Sequence, residues 1–128
     1  MTPARGPEYE LADLKKACGE KGEVVVVRDA LETARSDFGL NTESDVLEFI
    51  RNDGLEKPTH ANTAALEKYP KSDKPWVDSY DFCAGFRVGY IAFYRGPTGK
   101  FVIKSFKKND KPDSRSFPMR EALSKIKL

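Results

Sequence analysis

Histidine, cysteine and tryptophan are nearly missing from this chain: among 128 residues there are one His, two Cys and one Trp. Structural zinc takes about four Cys or His ligands, so His60, Cys18 and Cys83 cannot build such a site alone. The two cysteines lie far apart and neither belongs to a CxxC pair, which argues against a disulfide framework and against a thiolate metal site. Counting leaves an all-carboxylate magnesium site open, but no Asp/Glu cluster points to one. No metal and no cofactor are therefore expected. No apolar run approaches the ~20 residues of a membrane span, and residues 1–9 carry no apolar stretch of signal-peptide type. A cytoplasmic protein with no membrane partner is expected. P-loop, GxGxxG and HExxH patterns are also absent.

What the chain does have is charge, divided unevenly. Residues 1–84 hold 11 Lys/Arg against 17 Asp/Glu, a balance of −6. Residues 85–128 hold 11 Lys/Arg against Asp110, Asp113 and Glu121, a balance of +8, and the whole carries +2. A concentrated basic surface attracts phosphates, of nucleic acid or of anionic lipid. The plainer alternative is that edge strands carry lysine to discourage aggregation.

The length suits one domain with one core. Residues 1–8, with Pro3, Gly6 and Pro7, read as a flexible arm, and residues 9–128 as a single domain. Tyr9–Cys18 has helical spacing, with Leu11, Leu14, Ala17 and Cys18 on one face and Gly19 and Gly22 as the stop. Val24–Val27 is a β-branched run fit for a buried strand. Asp29 is the expected cap of a second helix ending at Gly39, and Thr42 or Ser44 of a third ending at Gly54. Lys57–Pro75 is polar, contains Pro58, Pro70 and Pro75, and reads mainly as a long loop with one helical turn near Ala64–Lys68. Trp76–Phe82, Phe86–Tyr94 and Lys100–Lys107 read as strands, the last two joined through Gly96-Pro97-Thr98-Gly99. Met119–Leu128 reads as a short basic helix. Helices first and strands last predict an α+β fold: N-terminal helices packed on a mainly antiparallel sheet, with a short C-terminal helix.

The chemistry is expected in the basic hairpin. There cationic residues alternate with aromatics, a composition that neutralises phosphates and offers faces for bases to stack on. A sheet needs one apolar face, so Phe86, Val88, Phe101 and Ile103 are assigned to the core. Arg87, Tyr90, Lys104, Ser105, Lys107 and Lys108 remain as site candidates. Register decides which of them meet. With a Gly96–Gly99 loop, Arg95 pairs with Lys100, Tyr90 with Ser105 and Val88 with Lys107, and Tyr90 and Lys107 share a face. A five-residue loop over Arg95–Gly99 would put them on opposite faces. His60, in a polar segment, reads as a solvated surface histidine rather than a general base. Trp76 reads as a core or rim anchor, and Cys83 as packing, with no base partner in view.

Several segments taken together resemble the motility quorum-sensing regulator toxins, the MqsR type of toxin–antitoxin ribonuclease. They are Tyr9-x-Leu11-x-x-Leu14-Lys15, the strand-to-helix run Val24–Leu31, Trp76-x-Asp78-x-Tyr80, Tyr90-Ile91 and Ile103-x-Ser105-Phe106-Lys107. The resemblance spans about residues 9–108. It implies a RelE-like fold and a metal-independent endoribonuclease that cleaves mRNA and blocks translation. It also implies a cognate antitoxin protein as partner. Tyr90 matches the family's hairpin tyrosine, Lys107 the lysine after Ser-Phe, and Lys57 the lysine in the loop after the third helix. These three would be catalytic, with Arg87, Lys104, Ser105 and Lys108 on the RNA. Val77 stands where the family has glutamine, and Met119–Leu128 extends past the family's usual end. Lysine would stabilise the charge of the transition state. Tyr90 would orient the 2′-hydroxyl or shuttle its proton, and Lys57 would be a second stabiliser or the leaving-group acid. Two rival readings use the same basic hairpin: a nucleic-acid-binding module without catalysis, and a protein-interaction domain with an acidic partner.

Overall fold

The computed structural model describes residues 6–66, 75–85 and 87–109. The expected helix at Met119–Leu128, most of the expected arm at residues 1–8, and Phe86 lie outside the described residues.

Three helices precede four of the five strands: α1 Leu11–Cys18, β1 Val24–Val26, α2 Arg28–Phe38, α3 Glu43–Arg51, β2 Glu56–Ala65, β3 Trp76–Ala84, β4 Arg87–Arg95 and β5 Phe101–Lys108. The strands form one sheet in the order β1-β5-β4-β3-β2. β1 runs parallel to β5 and every other pairing is antiparallel. The class is α+β with a mixed sheet.

The helices form where the spacing places them. In α1, Leu14, Ala17 and Cys18 are buried, and Gly19 closes the helix. α3 begins at a capping box: Thr42 Oγ accepts from the Asp45 N–H at 3.1 Å, and the Asp45 carboxylate accepts from the Thr42 N–H at 3.1 Å. α2 differs from expectation. It starts at Arg28 after Val27, with no side-chain cap, and Asp29 lies in its first turn. There its charge still favours the positive end of the helix dipole. Gly39, at φ 71, ends α2 in the left-handed conformation that costs glycine least.

All three helices contribute to one aromatic and aliphatic core on one side of the sheet. Phe38 of α2 and Phe49 of α3 meet Phe82 and Phe106, with ring centroids 5.4–6.5 Å apart. Tyr9, Tyr80, Phe93 and Phe101 continue the cluster. Thr33 pins α2 to β5 by donating to the Phe106 carbonyl at 2.6 Å. Gly89 is required by this packing: a Cβ there would stand 2.2 Å from Phe82 Cζ, so the ring lies directly on bare β4 backbone.

The main correction concerns the segment expected as a loop. Residues 56–65 form the ten-residue edge strand β2, paired with β3. This overturns the expected loop there and takes Ala64 and Ala65 out of the expected helical turn. Two features hide the strand. Its side chains are mostly exposed, so it lacks an apolar run. Pro58 sits where the β2–β3 register slips between Glu56 and Thr59, an edge position at which a missing N–H costs little. Lys57 beside it takes a positive φ of 48. The β1 expectation also changes in detail: Val24 and Val26 are buried, but Val25 faces outward at 43% exposure.

Candidate functional site

Alternation along the strands gives the sheet two unlike faces. Tyr80, Phe82, Ile91, Phe93, Ile103 and Phe106 point to the helices. The other face is built from rows that cross the strands. One row is Ala64, Val77, Tyr94, Val102 and Val25; the next is Asn62, Ser79, Ala92 and Ser105; the third is Thr59, Asp81, Tyr90 and Lys107.

The third row brings two predicted catalytic residues together. Tyr90 on β4 pairs directly with Lys107 on β5, and the lysine Nζ lies 5.6 Å from the phenol ring centroid. That is a cation–π distance. The predicted shared face is present, but the predicted register is not. Arg95 pairs with Phe101, not Lys100, so the connection runs over five residues, Gly96–Lys100. A regular ladder from that turn would set Tyr90 against Phe106 and send Lys107 to the helix side. A β-bulge prevents this. The register shifts between Ala92 and Phe93, with Lys104 as the extra residue of β5. Ser105 then pairs with Ala92 and Lys107 with Tyr90.

Beside this row lies a groove of about 450 Å³. The small, buried Ser79 and Ala92 form its floor. Tyr90 walls one side and Val77 the other, with Asn62 at one end and the exposed Lys104 at the other. Val77 is thus an apolar wall of this groove.

The remaining candidates are dispersed. Lys57 is exposed on β2 beside Cys83, whose thiol is pushed up by burial and pulled back by the Lys57 charge. Three strand spacings separate β2 from β5, roughly 14 Å, so Lys57 stands at the far margin from Lys107. Arg87 and Lys108 belong to the opposite face. Arg87 pairs with Ala84, and Lys108 with Gly89. Both tie the end of α2 to the sheet: the Arg87 guanidinium donates to the Asp37 carbonyl, and the Lys108 N–H to Asp37 Oδ2 at 3.0 Å. The structure does not bring these two to Tyr90. Val88 is buried as expected, but on the face away from the helices.

Two buried carboxylates complete the picture. Asp81, 2% exposed, pairs with Tyr90 and accepts from the Asn109 side-chain amide at 2.7 Å. Asp78, fully buried on the helix side, accepts from the N–H groups of Glu8 at 3.0 Å and Tyr9 at 2.8 Å, and from the Thr63 hydroxyl at 2.6 Å. His60 Nε2 lies 2.7 Å from that hydroxyl oxygen. Because the Thr63 hydrogen goes to Asp78, the oxygen is free to accept, which assigns the hydrogen to Nε2. His60 is therefore a half-buried member of a His–Thr–Asp chain, not the solvated histidine expected. The chain joins β2, β3 and the entry to α1. Tyr80 beside it is pushed above its ordinary pKa by burial and by the Asp78 charge. Sequence reasoning missed this cluster. The Trp76-x-Asp78-x-Tyr80 pattern was its only trace, and the partners at 8, 9, 60 and 63 are supplied by folding.

Trp76 is 38% exposed at the rim, and its carbonyl accepts from the Tyr9 hydroxyl at 2.8 Å. Burial pushes the Cys18 thiol up to about 12. Among the described residues, no group of three or more His, Cys, Asp or Glu is arranged to hold a metal ion, and no helix is long and apolar enough to cross a membrane. No protein-family model, no curated protein and no solved structure matches the chain.

Proposed function

We propose that this protein is an endoribonuclease toxin of the MqsR type, with a RelE-like arrangement of helices and sheet, held in check by a cognate antitoxin protein. The observation that carries the reading is the opposition of Tyr90 and Lys107 on the face of the sheet opposite α1–α3, next to a groove rimmed by Lys104.

The reaction is cleavage of mRNA by internal transesterification. The ribose 2′-oxygen bonds to the adjacent phosphorus and the bond from phosphorus to the 5′-oxygen breaks. A 2′,3′-cyclic phosphate and a free 5′-hydroxyl result. Tyr90 orients the 2′-hydroxyl and passes its proton to water. Lys107 faces the developing charge on the phosphoryl oxygens, where a preorganised cation lowers the barrier most. The departing 5′-oxygen takes a proton at the wet rim beside Lys104. Lys57, at the far margin, is assigned to a neighbouring phosphate rather than to the leaving group. Ser105, in the row between, lies near enough to the strand to touch its sugar or phosphate. Arg87 and Lys108, engaged with Asp37, are left out of the reaction.

The test is incubation of the purified protein with mixed-sequence RNA in EDTA, beside Lys107→Ala. Discrete fragments with 2′,3′-cyclic phosphate ends are expected, at a rate reduced about 100-fold or more in the variant, the range found when one transition-state donor is removed. Intact RNA that still shifts on a gel, to the same extent for any single removed charge, would replace this reading with a non-catalytic nucleic-acid-binding module.

A further inference from the structure

The groove beside Tyr90 is more than a gap between strands. Its floor is the one place in the central rows where consecutive strands carry only small side chains, Ser79 and Ala92. Its walls, Tyr90 and Val77, stand about 13 Å apart along the strands, four residues at ~3.3 Å each. A volume of about 450 Å³ lies within the range of small-ligand sites and is ample for one nucleotide. A floor of small side chains with a ring at its side suits a planar π-system. At one end Asn62 offers its side-chain amide, which has no hydrogen-bond partner among the described residues, while its backbone carbonyl accepts from the Ser79 hydroxyl at 3.2 Å. A carboxamide donates and accepts side by side, the pattern that pairs with two adjacent groups on an adenine edge. At the other end is Lys104, a cation for the phosphate of the same nucleotide.

We infer that this groove is a nucleobase subsite: one unpaired base of the RNA lies over Ala92 between Tyr90 and Val77, and Asn62 reads its edge. The inference rests on the RNA reading above and adds to it the part of the substrate that sets sequence preference. A base held there places its own sugar and phosphate toward Tyr90, Lys104 and Lys107. The bulge at Lys104 thus serves recognition as well as register.

The experiment uses two 2′-deoxy pentanucleotides, which lack the attacking hydroxyl. One has a central adenine and the other an abasic site in its place, all flanking bases being thymine. Binding to the full chain is measured by calorimetry, and cleavage of mixed RNA is scored in parallel. The adenine strand is expected to bind about tenfold tighter, within the range that one stacked base contributes. Asn62→Ala and Ala92→Leu should each erase that difference and leave abasic binding unchanged, with thermal melting confirming that both variants fold. Equal binding of the two strands, or binding of neither, overturns the subsite; if RNA is still cleaved, the ribonuclease reading survives that result. Base-dependent binding that the variants erase, without any cleavage, keeps the subsite and removes the ribonuclease.

Discussion

The two faces of the sheet are made from different materials. Toward the helices, Phe38, Phe49, Phe82 and Phe106 pack ring on ring, and Phe82 rests on the bare backbone of Gly89. On the other face, the central rows hold alanine, serine, asparagine and threonine, with Tyr90, Lys104 and Lys107 rising from them. The first face carries most of the buried apolar surface and therefore most of the stability. The second presents polar and cationic groups, at little cost to folding.

The comparison can be broken most directly at Phe106. Phe106→Ala should cost about 3–5 kcal/mol, as buried Phe truncations do, whereas Lys107→Ala next to it should change stability by less than about 0.5 kcal/mol. Denaturant titration of both variants checks this; similar losses would show that the two faces share the load. Gly89→Ala follows. Its methyl group must displace the Phe82 ring, and a cost of about 1–3 kcal/mol is expected from such overpacking. The same titration, with melting temperature as a second readout, measures it.

The smallest effect comes from the helix side at alkaline pH. Burial raises the Cys18 thiol from 9.0 to about 12 in the folded chain. Between those values the unfolded chain releases this proton and the folded chain keeps it, so stability falls as pH rises. The contribution is intact below pH 9.0 and lost progressively toward 12. Melting temperatures taken from pH 8 to 11 should decline, and less steeply in Cys18→Ala. An identical decline in the variant would assign the effect to Tyr9 and Tyr80, which burial also raises.

Much of the helix side was legible in the sequence, because its physics is local. Leu14, Ala17 and Cys18 repeat at helical spacing, Thr42 is one of the two caps the spacing offers for α3, and the Val24–Val27 run is too short for a helix. β3, β4 and β5 were legible from their alternating apolar residues. β2 was not, since an edge strand that buries little has no apolar pattern to show, and Pro58 reads as a breaker until its place at a register slip is known. Asp29 looked like a cap because caps and first-turn acids share residue types. In the candidate site, a shared face for Tyr90 and Lys107 was foreseen as a condition on register; it is met, with the two directly paired, through a bulge that side-chain identities do not announce. Arg87 and Lys108 were grouped with that pair by proximity in sequence, but strand parity and the carbonyl and carboxylate of Asp37 take them to the other side. The His60–Thr63–Asp78 chain joins residues on separate strands and could be seen only after folding.

The bulge at Lys104 also has an evolutionary meaning. β5 carries one residue more than its partner needs, so the hairpin has slack. A chain that lost residue 104 would form a regular ladder with Ser105 still opposite Ala92 and Lys107 still opposite Tyr90, and would give up only the cation at the rim. Length variation at this point is therefore expected among descendants of this chain. Two such proteins would look misaligned by one position in their most basic strand while presenting the same tyrosine and lysine in the same place.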